Sequence, residues 1–149
     1  MHVCALLAGV GTQQQELEAL ASDLGIQECI KFLGWVDSRQ VLWASDALVL
    51  TSHKEGFPLV VAEAMLCGVV PIRTPAGGAA DQIDDGHNGY LIPFDDDEAL
   101  AARLLSLIRS LALRQRLSTA ALEKSRTLFS LSGCAERTAS VYEEVLRDR

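Results

Sequence analysis

The sequence predicts an α/β domain, a mostly parallel sheet flanked by helices, and three observations carry that reading. Short apolar runs alternate with helical patterns as far as Ile92. The stretches between the runs are long enough for the crossovers that parallel strands need. Beyond the last run the apolar residues recur only at helical spacing. At 149 residues, 49% of them hydrophobic, the chain has the size and apolar content of one domain. It contains no internal repeat, low-complexity tract or linker rich in Pro, Gly or Ser, so a single unit over 1–149 is expected.

Taken in order, Val3 to Ala8 is an apolar strand that ends at Gly9-Val10-Gly11, and Gln13 to Leu24 follows as a helix. Ile30 to Leu33 is the second strand, turned at Gly34, and Ser38 to Ala44 is the second helix. Ala47 to Thr51 is the third strand. Pro58 suits the first position of a helix over Pro58 to Cys67, where its missing N–H is not needed. Val69 to Arg73 is the fourth strand, Ala79 to Ile83 a short helix and Tyr90 to Ile92 the fifth strand. From 97 to 147 the chain is helical, with stripes at Leu100, Leu104, Leu107, Ile108 and Leu111, at Leu113, Leu117, Ala121 and Leu128, and at Ala135, Thr138, Ala139, Tyr142 and Val145. All three read as core-facing. The acidic run Asp95-Asp96-Asp97-Glu98 reads as a solvated helix start favoured by the macrodipole, with a Mg²⁺ site as the weaker alternative.

Composition narrows the function. A net charge of −7 argues against nucleic acid, whose phosphates are held by clustered Lys and Arg. No apolar run is long enough for a membrane-spanning segment, and the N-terminal run lacks a basic leading region, so a soluble, cytoplasmic protein is expected. Cys4, Cys29, Cys67 and Cys134 show neither Cys-x-x-Cys nor Cys/His ligand spacing. Reduced thiols in or near the core follow, with no metal and no disulfide framework.

The most informative segment is Glu55-Gly56-Phe57-Pro58-Leu59-Val60-Val61-Ala62-Glu63. It joins a loop carboxylate, a tight turn and a helix start that carries a second carboxylate. The amides of Leu59 and Val60 lie in the unpaired first turn, where they and the positive helix end favour a diphosphate. Glu63 is about a turn and a half along the helix, suited to accept from a ribose diol, and Glu55 precedes the turn, within reach of sugar hydroxyls. The plainer alternative makes Glu63 an exposed helix residue and Glu55 a turn marker. Small and apolar neighbours, Ala62, Ala64 and Met65, favour a sheltered carboxylate at Glu63 that needs a partner.

This segment resembles the donor-binding signature of retaining glycosyltransferases with the GT-B fold, glycosyltransferase family 4, also called glycosyl transferases group 1. The likeness extends over Leu7-Ala8-Gly9-Val10-Gly11, Phe32-Leu33-Gly34-Trp35-Val36, Ala44-Ser45-Asp46, Thr51-Ser52-His53-Lys54, Glu63-Ala64-Met65, Pro71, Gly77-Gly78 and Asp85-Gly86-His87-Asn88-Gly89-Tyr90-Leu91. It implies a Rossmann-like C-terminal half of a GT-B fold, binding a nucleotide-diphosphate sugar without metal or other cofactor. It implies Glu55 as the catalytic residue. It implies donor contacts from Gly9 and Gly11, from Phe32 and Gly34 flanking the base, from Lys54 and Gly56, from Phe57, Pro58, Leu59 and Val60 at the helix start, and from Glu63.

Several motifs keep two readings. Gly9-Val10-Gly11 begins like a dinucleotide fingerprint, but position 14 is Gln14 and no acidic residue closes the next strand, which argues against a nicotinamide cofactor. A tight turn requiring positive φ and a close backbone approach to the donor are compatible there. Trp35 either stacks on a base or packs against the following helix. His53 and Lys54 are either an exposed polar pair or a phosphate contact from Lys54, and His53 has no evident partner. Arg73, where the family carries a small or apolar residue, is either an extra anion contact or a strand-end charge.

The resemblance also implies parts that this sequence does not contain: an N-terminal acceptor-binding domain, and an opening strand whose loop brings an Arg and a Lys to the diphosphate. An isolated chain that is incomplete and inactive is therefore expected, completed by that domain or by a separate chain. The alternative is a non-catalytic interaction or regulatory module, or one subunit of a split glycosyltransferase. With the opening strand absent, the runs at Val3 to Ala8 and Ala47 to Thr51 are expected to pair with each other or to recruit a strand from another chain, including a second copy through an uncovered sheet edge.

Overall fold

The computed structural model describes residues 3–147. It divides into two compact units, Met1–Ala44 and Ser45–Arg149. The first contains β1 (Ala5–Ala8), α1 (Gln14–Asp23), a single 3-10 turn, β2 (Ile30–Gly34) and α2 (Ser38–Trp43). β1 and β2 run parallel, with Ala5 opposite Ile30 and Leu7 opposite Phe32, and the register shifts between Leu7 and Ala8. Asp37 starts α2 by accepting the Arg39 amide at 3.0 Å, and its carboxylate also meets the Arg39 guanidinium at 2.8 Å.

The second unit contains β3 (Ala47–Leu50), α3 (Leu59–Leu66), β4 (Val70–Arg73), α4 (Ala79–Gln82), β5 (Tyr90–Leu91), α5 (Asp97–Arg109), α6 (Leu111–Leu128) and α7 (Leu131–Arg147). Its sheet is parallel throughout in the order β3-β4-β5, with Leu50 opposite Arg73 and Arg73 opposite Leu91. β4 is the middle strand and is buried at every position. One apolar cluster joins Val70 and Ile72 of β4 to Tyr90, Ile92, Leu107 and Leu117. Another joins Val61 and Met65 of α3 to Ala121 of α6, with Leu48, Leu50, Val60 and Phe129 packed on it. Local signals set the helix starts: Asp96 accepts the Ala99 amide at 2.8 Å and Ser110 accepts the Leu113 amide at 3.2 Å.

Each predicted strand and helix is present, with ends shifted by a few residues. Several finer expectations fail. Pro58 lies one position earlier than expected, as the N-cap of α3 with φ −66° and ψ 114°. Of the two outcomes expected for these strands, direct pairing of β1 with β3 does not occur: the ladders form a two-stranded sheet, β1-β2, and a three-stranded sheet, β3-β4-β5. β1 and β3 mix exposed and half-buried residues, whereas β4 is buried throughout. The third apolar stripe is helical but not core-facing, since no residue of α7 is buried. Cys4, Cys29 and Cys134 are exposed and Cys67 half-buried, so the thiols are free but not core residues. Among the described residues, no helix is long and apolar enough to cross a membrane.

Candidate functional site

In an open parallel sheet, loops at the carboxyl ends of adjacent strands gather on one side, and ligands bind there. In the second unit these are the segment from Ser52 to Pro58 after β3 and that from Thr74 to Gly78 after β4. Two devices join them. Thr74 Oγ1 donates to the Ser52 carbonyl at 2.6 Å. Gly77 and Gly78 press against the Glu55 turn so closely that a Cβ on Gly77 would lie 2.2 Å from the Glu55 carbonyl oxygen, and one on Gly78 2.7 Å from that of Gly56. Only glycine allows this approach, and Gly78 also needs its φ of +69°.

The turn delivers the chain into α3. Among the described residues the Leu59 and Val60 amides have no partner, while the Val61 amide bonds the Pro58 carbonyl at 3.2 Å. The first turn of α3 holds no acidic residue, so its positive end is not offset by its own sequence. Glu55 is half-buried before this turn, and Glu63 is half-buried between the buried Ala62 and Ala64. Lys54 and Gly56 are exposed. Phe57 is edge-on to Phe129 at 5.4 Å and flanks Gly78, whereas the Val60 side chain belongs to the apolar cluster, leaving only its amide for a ligand.

Arg73 ends β4, but its side chain is wholly buried, so it is neither an exposed strand-end charge nor a surface anion contact. It donates to the carbonyls of Thr74 at 3.2 Å, Ala76 at 2.9 Å and Gly77 at 3.0 Å, and to Gln82 Oε1. Gln82 Nε2 in turn donates to the Pro58 carbonyl at 3.0 Å, and the Gln82 carbonyl accepts from Asn88 Nδ2 at 3.1 Å. Burial pushes the Arg73 guanidinium down from its ordinary pKa, and the nearby Glu55 carboxylate partly offsets this.

His53 does have a partner. Its Nε2 lies 2.9 Å from Asp95 Oδ1, and its ring stacks on Phe94 at 5.4 Å. Asp95 adopts φ +56° and meets His53, while the next residue, Asp96, caps the helix. Thr51, His53, Thr74, Ile92, Asp95 and Asp96 are among the residues lining a polar cavity of about 410 Å³. No group of three His, Cys, Asp or Glu suited to hold a metal occurs among the described residues. From the sequence Thr74 and Gln82 have no role, Asn88 only a place in a matching motif, and Asp95 only a place in the acidic run. Their partners are distant in the chain, and the glutamine and asparagine motifs give no local sign of burial.

In the first unit, Gly9 and Gly34 meet beyond the ends of β1 and β2. The Gly9 amide donates to the Gly34 carbonyl at 2.7 Å, with φ of +131° and +65° at the two glycines. The Gly11 carbonyl accepts the Gln14 amide at 3.3 Å as α1 begins, and Phe32 is half-buried in β2. Trp35, at 87% exposure, is not packed against the following helix.

Parallel sheets flanked by helices, with loops gathered at the strand ends, define the Rossmann-like C-terminal half of a GT-B protein. The chain belongs to the glycosyl transferases group 1 family, whose model matches residues 3–124. It is 33% identical over 144 residues to the N-acetyl-alpha-D-glucosaminyl L-malate synthase of Bacillus anthracis, covering 96% of this chain and 38% of that protein. It matches the crystal structure of Anabaena Alr3699/HepE in complex with UDP at a TM-score of 0.89 and 28% identity, over 95% of this chain and 41% of that one. HepE has also been solved with UDP-glucose. The C-terminal domain of a group 1 protein, LpcC from Francisella tularensis, shares the fold at a TM-score of 0.75 and 23% identity, over 87% of both chains. The chain thus spans less than half the length of the synthase and of HepE.

Proposed function

We propose that this chain binds the nucleotide-diphosphate sugar of a retaining glycosyltransferase. The observation that carries the reading is the interlock of the Glu55 turn with Gly77-Gly78 beside an uncapped helix start, on a chain of the group 1 family. The UDP and UDP-glucose complexes of HepE support it. The Leu59 and Val60 amides donate to the diphosphate oxygens, assisted by Lys54; Glu63 accepts from the ribose diol; and Glu55 is the catalytic residue, meeting the sugar at the reacting end. For Gly9, Gly11, Phe32 and Gly34 the proposal rests on the family resemblance alone. Retaining transfer is electrostatic: donors that stabilise the departing nucleoside diphosphate let the acceptor attack on the same face. No metal is required.

Titration with UDP, GDP and ADP sugars by calorimetry tests the reading and gives the base preference. Saturable binding, unchanged by EDTA, is expected. A folded protein that binds none of them at millimolar concentration would remove the function.

A second reading is an interaction module or one subunit of a split enzyme, with the acceptor-binding region on another domain or chain. The apolar face of α7 favours it, since Val141, Tyr142, Val145 and Leu146 are all exposed. A separate chain that restores transfer on mixing supports the split enzyme; self-association that buries this face supports a homo-oligomer.

A further inference from the structure

Arg73 takes part in no ion pair among the described residues, yet its side chain is wholly buried. A buried charge whose hydrogen bonds all go to neutral oxygens, with the Glu55 carboxylate only nearby, is costly to place, so four donated bonds to one short stretch of chain call for a purpose. The bonds form a chain of command: Arg73 fixes the carbonyls of Thr74, Ala76 and Gly77 and orients Gln82, and Gln82 holds the Pro58 carbonyl at 3.0 Å. Pro58 occupies the N-cap position of α3 without a side-chain cap, directly before the partnerless Leu59 and Val60 amides.

We propose that Arg73 and Gln82 are positioning residues for the donor diphosphate, locking the glycine-rich loop to the cap of α3 so that its first amides are set before the ligand arrives. This rests on the donor-binding reading above. An anion site assembled in advance does not lose affinity to loop ordering, and its dipoles need not reorient when charge develops. The planar guanidinium fork is what reaches three carbonyls and one amide oxygen together. A lysine keeps the charge but not the fork.

The test uses the full chain with Arg73→Lys and, in case that variant folds poorly, Gln82→Met. Binding of UDP, GDP and ADP is compared with that of uridine, guanosine and adenosine, and backbone hydrogen exchange is followed at the Val61 and Ala79 amides, which bond the Pro58 and Ala76 carbonyls in the 59–61 and 76–79 segments. In both variants the diphosphates are expected to bind about tenfold more weakly, with nucleoside affinity changed by less than about twofold. Exchange is expected to quicken in both segments together. Equal losses for diphosphate and nucleoside, or unchanged diphosphate affinity, would overturn the proposal. If the wild type binds none of these ligands, the donor-binding reading fails, and exchange still decides the lock: unchanged protection in both segments rejects it.

Discussion

Glu63 and Glu55 occupy different ends of the same turn-and-helix segment, so the donor-binding reading assigns them separable losses. Removing the Glu63 carboxylate deletes charge-assisted bonds to the ribose, and Glu63→Ala is expected to weaken nucleoside diphosphate binding by about 1.5–3 kcal/mol. Glu55→Ala should spare the nucleoside diphosphate and weaken only the intact sugar donor. Calorimetry with both ligands checks the pair, and equal losses in both variants would show the roles misassigned. Gly77→Ala probes the scaffold, because its Cβ would meet the Glu55 carbonyl at 2.2 Å and force backbone apart. A stability loss of about 1–3 kcal/mol in urea unfolding is expected, together with weakened donor binding. The placing of the carboxylates and glycines around one turn was legible because a short motif contains it. Arg73 was not, since nothing in Pro71-Ile72-Arg73-Thr74 shows that four acceptors, one of them nine residues away, will enclose its guanidinium.

At the scale of the element the acidic start of α5 was legible, since capping is settled within four residues, but the break at Ser110, where Leu111 reads with the preceding stripe, was not. Asp96 accepts the Ala99 amide, so Asp96→Ala is expected to cost about 1 kcal/mol, while Asp96→Asn, which keeps the acceptor, should cost much less. Thermal melts of the two variants distinguish a cap from a general charge effect. Asp37 adds a pH dependence. The Arg39 side-chain bond, and after it the Arg39 amide, hold its carboxyl below the ordinary value of 3.8. A carboxyl lowered on folding stabilises the folded state fully above its unfolded value, and that stabilisation fades as the pH falls through the depressed folded value. The Arg39 amide shift should therefore titrate with a midpoint below 3.8, and a midpoint at or above it would refute the assignment. Strand burial was less legible. The apolar runs of β1, β3 and β4 look alike in sequence, and only β4 is buried throughout.

The C-terminal helices show, at the scale of the whole molecule, why periodicity gives an element but not its surroundings. α6 and α7 both carry apolar residues at helical spacing, yet Leu117 and Ala121 of α6 are fully buried while Tyr142 and Val145 of α7 are 68% and 51% exposed. Hydrophobic spacing reports that a face needs cover and cannot say whether this chain supplies it. The difference has a direct energetic consequence. Leu117 packs with Val70, Ile72, Tyr90, Ile92 and Leu107, so Leu117→Ala opens a cavity beneath the sheet and is expected to cost about 2–5 kcal/mol. Leu146, 69% exposed, leaves almost nothing behind when truncated, and Leu146→Ala should change stability by less than about 0.5 kcal/mol. Urea unfolding of both variants at several protein concentrations measures the contrast. If α7 is covered in solution by a second copy, the Leu146→Ala cost will rise above that limit and its midpoint will shift with concentration. A small, concentration-independent effect would instead mean that no second copy covers this face.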